Sequence, residues 1–77
     1  MNHIKVLNFS LKNLEHLREM KRAHSSSKFI FIFNEQNKNF VTISSKAGLD
    51  EYLIEPYTKH DLEKKITKLA ENNTPSF

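Results

Sequence analysis

No cysteine occurs in these 77 residues, so neither a disulfide nor a thiolate metal site supports the fold. Tryptophan is also absent, and Gly48 is the only glycine, which rules out a glycine-rich loop of the kind that cradles phosphates. No apolar run is longer than Phe29 to Phe33, far short of the roughly 20 residues that span a bilayer. Met1 to Ser10 has no signal-peptide core, which leaves the cytoplasm as the expected location. His3, His16, His24 and His60 never fall four residues apart, so helix-borne metal ligation is not expected and no cofactor is implied.

What remains is an ordinary globular composition, 38% hydrophobic and 27% charged, in one short domain. A chain of this length buries only about 60% of the surface it exposes when unfolded, so its core must be small. Residues 1–71 are expected to form that domain and 72–77, which include Pro75, a frayed tail. The net charge is +3 but unevenly placed. Lys5, Lys12, Arg18, Lys21, Arg22 and Lys28 face only Glu15 and Glu19 in the first third of the chain, whereas Glu35, Asp50, Glu51 and Glu55 outnumber Lys38 and Lys46 in the middle.

Phe29 to Phe33 organises the rest. Five consecutive aromatic or β-branched residues are too short for a buried helix and have the composition of a strand covered on both faces. Before it, Ile4 to Phe9 roughly alternates and stops at Ser10, a favoured helix N-cap. Leu11, Leu14, Leu17 and Met20 then make one apolar stripe among charged residues, an amphipathic helix ended by Ser25 to Ser27. These elements predict a right-handed βαβ unit with parallel strands. The polar stretch Asn34 to Asn39 leaves no room for a second crossover helix, so Phe40 to Ser44 is expected to return as an antiparallel strand. Glu51 to Glu55 reads as a short edge strand stopped by Pro56. Thr58 and Asp61 form a capping-box-like start to a final helix on which Leu62, Ile66, Leu69 and Ala70 share a face. The expected fold is a small α+β domain, β-α-β-β-(β)-α, with a mixed three- or four-stranded sheet and two amphipathic helices. Two coverings of the sheet are open: both helices on one face, leaving Ile30 and Ile32 as a dimer face, or one helix on each side.

Ala47 to Asn73 resembles the last strand and helix of a response-regulator receiver domain, through Gly48, Asp50, Glu51, Tyr52, Leu53, Pro56 and Tyr57. Ile4 to Met20 is loosely similar to that family's first strand and helix. Three departures bear on function. Glu55 stands where the family has a phosphoryl-contacting lysine, no acidic pair for Mg²⁺ follows the first strand near Asn8 and Phe9, and Asn34 ends the central strand where the phospho-accepting aspartate belongs. The resemblance therefore implies a trimmed pseudo-receiver without phosphotransfer chemistry that keeps a docking surface on its last strand and helix.

The sequence-level reading is accordingly a non-catalytic regulatory or interaction protein, an adaptor or inhibitor, that binds another protein. Its candidate contacts are Tyr52, Glu55, Tyr57, Lys59, Lys64 and Lys68. The rival is a nucleic-acid-binding domain contacting phosphates through Lys12, Arg18, Lys21, Arg22 and Lys28, with exposed aromatics such as Phe40, Tyr52 or Tyr57 stacking bases. No helix-turn-helix or zinc-finger signature accompanies those residues. A small ribonuclease toxin built on His24, with Arg22, Lys28 and the adjacent serines, is the remote enzymatic alternative.

Overall fold

The computed structural model describes residues 3–71, so the tail at 72–77 lies outside the described residues. Strands and helices alternate: β1 (His3–Asn8), α1 (Leu11–Ala23), β2 (Ser27–Phe33), a single 3₁₀ turn (Lys38–Phe40) running into α2 (Val41–Lys46), β3 (Glu51–Ile54) and α3 (Lys59–Glu71). The three strands form one sheet in the order β1-β2-β3, and both pairings are parallel.

The local signals at the long helices act as their chemistry dictates. Ser10 caps α1, its Oγ accepting the Asn13 N–H at 3.0 Å. Thr58 and Asp61 exchange backbone and side-chain bonds at 3.0 Å each, a reciprocal capping box at the head of α3. The bond from the Thr58 N–H holds the Asp61 carboxyl below its ordinary value. Glu55–Pro56, a cis peptide, closes β3.

The expected mixed sheet is not formed. Phe40 to Ser44, read as an antiparallel strand, is instead the second half of a crossover. Asn34 and Asn37 each accept the other's backbone N–H on a side-chain oxygen, at 2.7 and 3.0 Å, and this closed turn starts the 3₁₀ segment that leads into α2. Those residues are therefore the crossover, and β3 is free to run parallel to β2. Gly48, at φ 116°, ends the helix and turns the chain toward Leu49 and β3.

Both crossovers step the same way across the sheet, which puts α1 and α2 on one face. Leu17 of α1 and Leu49 pack there on Phe29, Phe31 and Phe33, with Phe9, Met20, Phe40 and Val41 around them. Phe9 stacks on Phe33 at 4.9 Å and on Phe40 at 5.0 Å between ring centroids. The opposite face belongs to α3, whose Leu62, Ile66 and Leu69 lie over Ile30, Ile32 and Leu53. Ile30 and Ile32 are thus sealed, at 0% and 5% exposure, and do not form the dimer face that the first covering would have left. Each such side chain contributes about 1.5–3 kcal/mol when buried.

Candidate interaction surface

β3 is an edge strand, and alternation sends its side chains to opposite faces. Leu53 points under α3, while Tyr52 lies on the phenylalanine side, 36% exposed, its ring edge-on to Phe33 at 6.2 Å. The Lys65 ammonium reaches around from α3 to 5.3 Å from the Tyr52 ring centroid. Glu51 ties the helix to the strand. Its Oε1 accepts from Lys65 Nζ and its Oε2 from Lys68 Nζ, both at 2.9 Å, and its Oε1 also lies 3.2 Å from the Tyr52 N–H.

Burial pushes the Glu51 carboxyl up, but the bonds from Lys65, Lys68 and the Tyr52 N–H together outweigh it and hold the group below its ordinary value. The same contact raises Lys68, chiefly through its hydrogen bond to Glu51. Beside this clamp is a shallow depression of about 260 Å³ lined by Leu53, Asp61, Lys64, Lys65 and Lys68. Of the contacts read from the sequence, Lys64 and Lys68 come together here, while Tyr52 lies on the other face of β3 and meets α3 through Lys65. Glu55 and Lys59 are exposed nearby in the chain, but Tyr57 is half-buried against the α3 core. Glu51 and Lys65, which hold the two elements together, are not among the contacts that the sequence pattern points to. Their signal is local, since Glu51 adjoins Tyr52 and Lys65 precedes Lys68 by three, one helical turn.

The carboxyl end of a parallel sheet is where such folds place their chemistry. Here the strands end at Asn8, Phe33 and Ile54, with Asn34 and Glu55 just beyond the last two. The Asn8 carbonyl accepts from Asn13 Nδ2 at 2.9 Å, the Asn34 side chain is engaged by Asn37, and the Glu55 N–H donates to the Phe33 carbonyl at 2.7 Å. Among the described residues no group of three or more His, Cys, Asp or Glu is placed to hold a metal ion, and no helix is long and apolar enough to cross a membrane.

The basic residues of the first third do not form one stripe. Lys21 is committed to Asp50 at 2.7 Å. Lys12 and Arg18, six positions apart, lie about 120° apart around α1. Lys28 alternates with Phe29 and so shares the α3 side of the sheet with Ile30, opposite α1. His24 caps α1, its N–H donating to the Met20 carbonyl and its own carbonyl accepting from Ser27, so its neighbours serve the turn.

No family model and no curated protein matches this chain.

Proposed function

We propose that this chain is a small cytoplasmic regulatory or interaction protein, an adaptor or inhibitor, that acts by binding another protein through β3 and α3. The observation that carries this reading is Tyr52, an exposed aromatic ring on an edge strand, steadied between Phe33 and Lys65, with the same Lys65 lining a depression beside Lys64 and Lys68 on α3. Aromatic rings held in this way lose little conformational freedom on binding and are the commonest anchors of protein interfaces. The strand ends support the non-catalytic half of the reading, because Asn8 and Asn34 are amides, which cannot accept a phosphoryl group as a carboxylate does.

Kinship with a receiver domain is part of the proposal. The three parallel strands remove one objection to it, since that family's sheet is parallel throughout. A receiver stripped of its lysine and acidic pair would retain the docking surface of its last strand and helix, where the resemblance lies.

Fluorescence anisotropy against duplex DNA and single-stranded RNA at low and moderate salt separates this reading from its rival. The divided basic residues predict no binding even at low salt. Micromolar affinity with a steep salt slope would move the function to α1 and nucleic acid.

A further inference from the structure

We infer that two copies of this chain pair through β1, antiparallel about a two-fold axis at Val6, to give a continuous six-stranded sheet. The sheet has two edges, and they differ. β3 is four residues long and stops at Pro56, its Tyr52 N–H lies against the Glu51 carboxylate, and the Lys65 ammonium stands over it; these are devices that blunt an edge against further strands. β1 has six residues, no proline, and, among the described residues, no strand on its outer side.

The Phe9 N–H donates to the Ile32 carbonyl, so the odd-numbered residues of β1 turn their backbone groups to β2. Ile4, Val6 and Asn8 therefore present theirs outward. The side chains of Ile4 and Val6 lie on the α3 side, where α3 sits over β2 and β3 and leaves Val6 40% exposed. Backbone donors, backbone acceptors and an apolar side chain are thus open along one line.

A second copy fits this edge because the strand is complementary to itself. With the axis at Val6, Val6 meets its own counterpart and exchanges two N–H···O bonds with it, Ile4 lies opposite Asn8, and Lys5 lies opposite Leu7. No like charges oppose one another. A shift that centred the axis on Lys5 would set two lysines face to face, so charge disfavours that register, and an axis at Val6 is the one that pairs the outward-facing backbone groups of Ile4, Val6 and Asn8 about the middle of the strand. The Asn8 carbonyl keeps a lone pair beyond the one taken by Asn13. With β3 blunted, the pairing closes at two copies.

Light scattering over a concentration series, together with amide exchange read by NMR, tests this. The expected mass rises from 9.1 kDa toward twice that value with concentration. The Val6 amide should then exchange about tenfold more slowly at the top of the series, with Tyr52 unchanged. Val6→Lys, at an exposed position, should be monomeric throughout with an unaltered circular dichroism spectrum. Val6→Pro, which removes only an outward N–H, should weaken pairing as well. A wild type that stays monomeric overturns the inference, as does a dimer that survives both substitutions, or a mass that climbs past two copies.

Discussion

Asp50 and Phe29 are bonded to each other twice: the Asp50 N–H donates to the Phe29 carbonyl at 3.2 Å, and the Phe29 N–H donates to Asp50 Oδ2 at 2.8 Å. The same oxygen accepts from Lys21 Nζ, so one carboxylate joins α1, the start of β2 and the entry to β3. Phe29 is completely buried, and its N–H loses its partner if the carboxylate is removed. Asp50→Ala should therefore cost about 2–3 kcal/mol, the penalty of an orphaned buried donor with a lost charged partner. Asp50→Asn keeps an acceptor and should cost less than half as much. Urea denaturation of the two variants checks the ordering, and equal losses would mean that the Phe29 bond contributes little.

The Glu51 clamp predicts an acid limb of stability. Its folded pKa lies below the ordinary 4.5, so its contribution is fully present above that value and is lost as pH falls through the lower folded one. Glu51→Gln should remove about 1 kcal/mol at neutral pH and flatten the stability profile below about pH 4.5. Lys68 runs the other way: a raised pKa keeps its contribution at neutral pH and releases it only at strongly alkaline pH. Thermal melts across pH 2.5–7 would show the difference between wild type and Glu51→Gln narrowing as pH falls. A constant difference would mean that the carboxylate is not what ties β3 to α3.

Ser44 has the opposite character. Its Oγ is fully buried and finds no hydrogen-bond partner among the described residues. Ser44→Ala removes a desolvated hydroxyl and raises helix propensity, so it should stabilise the fold by about 0.5–1 kcal/mol. A loss of stability in the same assay would show that the hydroxyl is bonded after all.

That serine also explains why the second crossover was hidden. Phe40, Val41, Ser44 and Ala47 fall at helical spacing, but the innermost of them is polar, so the apolar period breaks where it is most needed. The phenylalanine and β-branched residues of Phe40 to Ser44 then argue for a strand, and tertiary packing overrides them. The remaining elements were legible for the complementary reason. Phe29 to Phe33 is apolar on both faces because both are covered, and Ser10, Pro56 and the Thr58–Asp61 pair mark boundaries through their own hydrogen bonds or missing N–H. At the surface, the exposure of Tyr52, Lys64 and Lys68 is legible in the alternation of polar and apolar residues. The burial of Tyr57 and the division of the basic residues depend on which face each element turns inward, and short-range spacing does not carry that.

A photoreactive phenylalanine analogue placed at Tyr52, and separately at Arg18 on the outer side of α1, tests the proposed function most directly. The account predicts that irradiation in cell extract yields a discrete adduct to another protein from position 52, abolished by Lys64→Glu together with Lys68→Glu, and no discrete adduct from position 18. Adducts from position 18 with none from 52, or a position-52 adduct indifferent to both lysines, would contradict it.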